Sequence, residues 1–441
     1  MKAEKNAMPE IETLPDGYRL TELGPLPTHW RVVRLGEVMY PDRTKMSHKD
    51  YRGDFPIIEK IPFDTGKVVL RATNRTNTDL YVPGKQAVLV CSKINLHQGA
   101  ISLLTQRVAA TTHYEFYALK DWADAEYLWW FLRTSLFRFL FDQDIRFRGF
   151  KKEANYKFIQ NIVIPLPPLA EQRAIAHVLR TVQRAQEASE RVIAALRELK
   201  KSLMRHLFTC GPVPVEAQGI VPLQQTELGP LPAHWQVVRL GEIVNLRTGA
   251  VLPSEVPNAR YVGLEHIDPS EVTIRQFGYA VDTKSAKAVF RTGDVLYGKL
   301  RPYLDKAALA EWDGVCSTDI LVLVPQKAEP WFVAYLMHSP HVLQYAVATT
   351  TGVNHPRTSW KAISQALIPL PPLPEQREVA RILQAVDRRI AAEEAYRAAA
   401  QELFRSLLRE LMSGRRRLPV DCVGATRWVA HPEPSHGGQT P

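Results

Sequence analysis

Cysteine is scarce in this chain. Of 441 residues only Cys91, Cys210, Cys316 and Cys422 are cysteines, and neighbours in that series are at least 106 residues apart. Without a C-x-x-C pair there is no zinc ribbon, and without a dense set there is no disulfide framework, so a reducing compartment fits best. Long apolar runs are also missing: no stretch nears 18 residues, and the charged start, Met1 to Glu10, has no apolar segment behind it. Neither a membrane span nor a signal peptide is expected, and a cytoplasmic location is. The composition is not extreme, with 45% hydrophobic and 23% charged residues, which excludes a wholly disordered or collagenous chain. Length alone predicts two to four domains with ordinary cores. The formal net charge of +10, with an isoelectric point near 9.3, permits a polyanionic partner without requiring one.

Catalytic words are lacking too. The stretch Gly293 to Lys299 spells G-x-x-x-x-G-K, but Leu300 stands where a phosphate-binding loop needs Ser or Thr to hold magnesium, so a strand and turn are expected there. The adenine-methylation word [DNS]-P-P-[YF] is absent, because Pro167-Pro168 and Pro371-Pro372 are flanked by leucines, and no G-x-G-x-x-G is present for a nucleotide cofactor. Glu198-Leu-Lys200 has the E-x-K spelling of some nucleases, yet it sits in a helical pattern and reads as a solvated helix face. His97 and His113, or His338, His341 and His355, have no Cys or carboxylate joining them at ligand spacing. The expectation is a protein with no catalytic residues, no metal and no cofactor of its own.

What the chain does have is a repeat. Thr21 to Val38 reads TELGPLPTHWRVVRLGEV and Thr226 to Ile243 reads TELGPLPAHWQVVRLGEI, three differences at an offset of 205. Ile164 to Arg173 is IPLPPLAEQR and Ile368 to Arg377 is IPLPPLPEQR, one difference at an offset of 204. The stretches between these words, 41 to 163 and 244 to 367, share little sequence. Each starts with short β-like runs, such as Ala87 to Val90 and Asp294 to Tyr297, and later carries one amphipathic run, Ala125 to Phe141 or Pro330 to Val347. Each therefore reads as a compact α+β domain.

Behind each Pro-rich word lies a helical segment without internal Pro or Gly, Ala170 to Cys210 and Pro374 to Ser413, ended by Gly211 and Gly414. The first carries a 3-4 spaced seam through Ile175, Val178, Val182, Ala185, Ser189, Val192, Leu196, Leu199 and Leu203. The second keeps Val379, Leu383, Val386, Ile390, Tyr396, Ala400, Leu403, Leu407 and Leu411. Each rod would be about 60 Å long. The Pro-rich words could be polyproline ligands for another protein, but Pro at a helix entry is preorganised, and Glu171 and Glu375 in the first turn complement the helix dipole. The predicted fold is α+β, two globular domains joined by two long antiparallel coiled-coil helices in a pseudo-two-fold repeat. Its predicted divisions are an N-terminal extension at 1–20, heads at 21–163 and 226–367, helical connectors at 164–211 and 368–414, a linker at 212–225 and a basic, mobile tail at 415–441.

Candidate nucleic-acid contacts lie in the heads. Residues 41 to 163 hold 19 Lys/Arg against 13 Asp/Glu, net +6, whereas 244 to 367 hold 12 against 11, net +1. In the first head Arg146, Arg148, Lys151 and Lys152 interleave with Phe147 and Phe150, and Lys93, Asn95, His97 and Gln98 form a polar cluster able to face base edges. In the second, Lys299, Arg301 and Tyr303 follow the false phosphate loop, and Asn354, His355 and Arg357 lie in a Gly/Thr-rich loop. Ordinary exposed loops would look the same.

The two in-order pairs of words, LGPLPTHWRVVRLGEV with IPLPPLAEQR and LGPLPAHWQVVRLGEI with IPLPPLPEQR, closely resemble the specificity subunit of type I restriction-modification systems. Arg291 to Pro325 also looks like one class of target-recognition domain in that family, and the resemblance covers about residues 20 to 413. In the first head Gln86 to Asn95 departs from that stretch, so it should read different bases. The resemblance implies a non-catalytic scaffold whose two target-recognition domains each read half of an interrupted, asymmetric site in double-stranded DNA. It implies helices that set the spacer and dock two modification subunits using S-adenosylmethionine, joined by ATP-dependent restriction subunits. A stand-alone DNA-binding regulator or scaffold is the alternative, and an enzyme with an unrecognised site is a second.

Overall fold

The computed structural model describes residues 14–143, 154–212, 222–352 and 354–418. Arg146, Arg148, Lys151 and Lys152, and the tail beyond residue 418, lie outside them. The chain divides into two compact units, one of residues 1–188 with 397–441, the other Ser189–Tyr396. Each unit thus holds one head, the first part of the helix that follows it, and the last part of the other repeat's helix.

The repeated words form one device, built twice. Strand Arg31–Arg34 pairs antiparallel with Val163–Leu166, Val33 opposite Ile164, and Gln236–Arg239 pairs in the same way with Leu367–Leu370. The first word and the Pro-rich word are therefore the two strands of a single ribbon. The indole of buried Trp30 donates to the Glu171 carboxylate at 3.1 Å, with His29 on the same oxygen at 2.8 Å. Trp235 and His234 meet Glu375 at 2.9 and 2.7 Å. The next residue is a second clamp: buried Gln172 accepts from the Asp124 N–H and donates to Pro167 O, both at 2.8 Å, and Gln376 does the same for Glu329 and Pro371. The glutamates do more than face a helix dipole, since they fix the helix entry to the ribbon. At the other helix ends Gly414 packs against Pro27 and Trp30, and Gly211 against Trp235, both at positive φ where a β-carbon would collide or strain the backbone.

The two predicted helical segments are the helices Leu169–Leu207 and Leu373–Met412, the second with Pro374 in its first turn. In the first unit Ile175, Ala176 and Leu179 share a core with Leu407, Leu411 and Met412, and the Gln186 side chain donates to Ala400 O at 2.9 Å. In the second unit Leu207 and Phe208 share a core with Val379 and Leu383, and Ser189 donates to Glu393 O at 3.1 Å. Rising numbers on one segment meet falling numbers on the other, so the segments run antiparallel within each unit. The buried face keeps most of the predicted seam and leaves it at a few positions. Val192, Leu199, Tyr396 and Leu403 are exposed, while Ile193 and Lys200 are buried. A straight α-helix drifts about 20° per heptad against a strict seven-residue repeat, and the buried face follows the helix.

The heads share a central sheet that their sequences do not advertise. In the first, the order is Ile101–Leu103, Leu89–Ser92, Tyr114–Leu119, Met39–Pro41; in the second it is Ala307–Leu309, Val295–Gly298, Ile320–Pro325, Val244–Leu246, all antiparallel. Their outer sheets differ, three strands in the first head and five in the second. The single helical runs predicted after residues 125 and 330 are each two helices, Ala125–Phe131 with Ser135–Gln143 and Pro330–Leu336 with Pro340–Ala348. The break comes from capping: Ser339 accepts from the Val342 N–H with Pro340 at the first helical position, and Thr134 accepts from the Phe137 N–H. No helix of the described residues is long and apolar enough to cross a membrane.

Candidate nucleic-acid interface

The false phosphate loop is a strand and a turn. Val295–Gly298 leads through Lys299 and Leu300 into Arg301, which caps the short 3-10 helix Pro302–Leu304, and Ala307–Leu309 returns. The first head builds the same path from different residues: Leu89–Ser92, then Lys93, Ile94 and Asn95, the 3-10 helix Leu96–Gln98, and Ile101–Leu103. Lys93 N donates to His113 O at 2.8 Å, and Lys299 N to Asp319 O at 2.9 Å. Along this stretch the two heads correspond at an offset of 206. Lys93 matches Lys299, Asn95 matches Arg301, and His97 matches Tyr303.

In the second head the second candidate meets the first. Thr358, just after the Gly/Thr-rich loop, donates its N–H to Lys299 O at 3.0 Å, and Arg301 N donates to Pro356 O at 2.7 Å. Arg357 bridges antiparallel to both Leu300 and Thr351. Two segments more than 50 residues apart thus form one surface carrying Lys299, Arg301, Tyr303, Asn354, His355 and Arg357. In the first head Ala154 donates its N–H to Lys93 O. Ala154 therefore lies beside Lys93; the four cations of the basic stretch are not among the described residues. The sequence presents four separate candidates; the structure joins the two of the second head. Only the shared lysine signals the equivalence of the two turns in the sequence.

Availability differs along the surface. Asn95, Gln98, Arg301, Asn354, His355 and Arg357 are exposed, and Tyr303 is 55% exposed. Lys93 and Lys299 are half-buried, the Lys93 ammonium 5.6 Å from the centre of the Tyr81 ring. His97 stacks on Phe141 with ring centres 5.7 Å apart, and its carbonyl accepts from Arg138 at 3.2 Å. Arg357 is drawn to Asp319 at 3.2 Å. Arg301 has φ +50°, unusual for a side chain with a β-carbon, and the hydrogen bond to Pro356 O holds it there. Donors on Arg and Asn are the types that read guanine and adenine edges in a major groove. Among the described residues no group of three or more His, Cys, Asp or Glu could hold a metal ion.

The type I restriction modification DNA specificity domain matches the chain twice, over residues 27–198 and 232–401. The chain is 24% identical over 393 residues to the type I restriction enzyme EcoDI specificity subunit of Escherichia coli, covering 81% of each. It is 23% identical over 411 residues to the type I restriction enzyme MjaVIII specificity subunit of Methanocaldococcus jannaschii, covering 89% of this chain and 94% of that one. Among solved structures it is similar to the type I restriction-modification S subunit from M. genitalium, with a TM-score of 0.53 at 16% identity over 87% of this chain and 96% of the other. A chain from a type I R-M system, solved in work on its assembly and conformational transition, gives 0.50 at 19% identity over 89% and 99%. At these identities the two structures speak for the fold.

Proposed function

The chain belongs to the type I restriction modification DNA specificity family, and from that premise we propose that each head reads one half of an interrupted, asymmetric DNA site while the long helices set the distance between the halves. As a specificity subunit it recognises DNA, and catalysis belongs to the modification and restriction subunits it serves. In the proposed assembly two modification subunits supply S-adenosylmethionine chemistry, and restriction subunits supply ATP-driven cleavage, in the cytoplasm. The heads are residues 21–163 and 226–367, and the connectors 164–211 and 368–414 pair as an antiparallel coiled coil about a pseudo-two-fold axis.

One observation carries this reading. The ribbon, the Trp–Glu–His contact and the glutamine clamp are the same in both repeats, whereas the equivalent turns present Asn95 and His97 in one head and Arg301 and Tyr303 in the other. A constant framework suits a common partner, and differing tips suit different bases. The proposed contacts are Lys93, Asn95, His97, Gln98, Arg146, Arg148, Lys151 and Lys152 in the first head and Lys299, Arg301, Tyr303, Asn354, His355 and Arg357 in the second. Exchange of residues 41 to 163 for the corresponding head of a relative is expected to change one half of the methylated sequence and leave the other intact. Genome-wide mapping of methylated positions reads the outcome; a change in both halves sinks the proposal.

A further inference from the structure

The E-x-K spelling at residues 198 to 200 reads in the sequence as a solvated face, and half of it is not. Glu198 is exposed and pairs with Lys201 at 2.8 Å. Lys200 is 7% exposed. Its ammonium lies 2.6 Å from one oxygen of Asp387 and 5.8 Å from the centre of the Tyr335 ring. The Tyr335 hydroxyl donates to the other Asp387 oxygen, also at 2.6 Å. A lysine desolvated where head meets helix needs such a carboxylate.

The equivalent junction of the first unit has the opposite chemistry. Tyr335 lies in Pro330–Leu336, which follows Ala125–Phe131 by 205 residues, so its equivalent is Trp130. At the offset of 204, Lys200 and Asp387 correspond to Phe404 and Gln183. Trp130 meets Phe404 edge-on with ring centres 5.1 Å apart, and Gln183 turns to Glu187 at 3.1 Å. The Arg133 guanidinium already lies 5.6 Å from the Trp130 ring, and burial pushes its pKa down to about 10. The same three positions hold aromatic on aromatic beside a glutamine in one unit, and an ion pair with a buried lysine against a tyrosine in the other.

We infer that the two junctions are unlike locks: each head accepts the other repeat's helix and rejects its own repeat's, so the repeats pair with each other and not with second copies of themselves. Between two chains that exchanged like for like, the first head would receive Lys200 against Trp130. Gln183 would stand where Asp387 is needed, with the Arg133 cation on the same ring. The second head would receive Phe404 against Tyr335, and half-buried Asp387 would lose the Lys200 ammonium. Each like pairing strands a charge, and the native pairing strands neither. The framework cannot discriminate, because its Trp–Glu–His contacts are the same in both repeats. Discrimination has to come from buried positions where the repeats differ, and these are such positions. The pairing rule holds whether or not the heads read DNA as proposed.

Single substitutions in the full chain recreate the rejected pairings. Phe404→Lys sets the first repeat's lysine against the first head, and Lys200→Phe sets the second repeat's phenyl against the second. Each is expected to lower Tm by roughly 10 °C. Adding Gln183→Asp to the former, or Asp387→Gln to the latter, should recover at least half the loss, and crossing the rescues should recover none. A chain with Phe404→Lys, Gln183→Asp and Trp130→Tyr has two alike junctions. Refolded at rising concentration, it is expected to give more dimer than the wild type by light scattering. Unchanged Tm in the single variants, rescue that ignores the match, or no added dimer in the symmetrised chain would overturn the inference.

Discussion

Asp305 holds φ +51° at the position where the first head has Gly99 at φ +93°. Glycine takes that conformation freely, whereas a residue with a β-carbon gives up about 1 kcal/mol, which side-chain contacts must offset. They do: Asp305 accepts from Ser270 Oγ at 2.6 Å and faces His338 Nδ1 at 2.7 Å, while His338 Nε2 faces Ala307 O at 2.9 Å. Burial alone would push the Asp305 carboxyl up, but the His338 contact and charge, with Ser270, hold it below the ordinary carboxylate range. With the folded value below the unfolded one, the unfolded chain binds more protons in the window between them, so stability there rises with pH. The contribution is fully present above about pH 5 and is lost as pH falls below about 4. Asp305→Asn is therefore expected to cost about 1–3 kcal/mol at pH 7 and to flatten the acid limb. Urea unfolding from pH 7 to 3 measures both, and an acid limb as steep as the wild type's removes Asp305 from the account.

At the scale of elements, legibility followed local signals. The long helices could be read because neither has Pro or Gly beyond its first turn and each stops near a glycine, Gly211 or Gly414, that sits at positive φ against a tryptophan. The break before Pro340 has a local signal too, Ser339-Pro340, an N-cap followed by Pro at the first helical position, which the single predicted run over Pro330 to Val347 passes over. The burial of Lys200 was not, because a lysine on an amphipathic helix looks solvated until its carboxylate arrives from residue 387. Nor could the sequence join the turn at Lys299 to the loop at Arg357, which meet through backbone hydrogen bonds that any residue can make. The joined turn and loop of the second head are expected to respond to salt as one element. If each cation neutralises a phosphate, replacing Arg146, Arg148, Lys151 and Lys152 with Ala is expected to flatten the slope of log K against log salt by about 0.9 for each phosphate no longer neutralised. Lys299, Arg301 and Arg357 to Ala should flatten it less, since Arg357 already faces Asp319. Binding titrations between about 50 and 200 mM salt decide this; an unchanged slope in the quadruple variant takes that loop out of the interface.

For the whole molecule the proposed ruler makes a demand on length. Helices of 39 and 40 residues rise about 1.5 Å per residue, so four residues added to both lengthen an antiparallel pair by about 6 Å, close to two base-pair rises of about 3.4 Å. The insertions belong after Ala188 and after Tyr396, where the chain divides into its two units, so that the contacts within each unit survive. Four residues turn an α-helix about 40° beyond a full turn, and two base pairs turn B-DNA about 70°. The difference of about 30° is small enough for bending in DNA and protein to absorb. The double insertion is thus expected to shift the preferred spacer by one or two base pairs and to leave both half-sites unchanged. Insertion after Ala188 alone lengthens one helix against an unchanged partner, so the two cannot stay in register through both units, and Tm is expected to fall. A folded double-insertion chain that still methylates sites with the original spacer means that the helices do not set the distance.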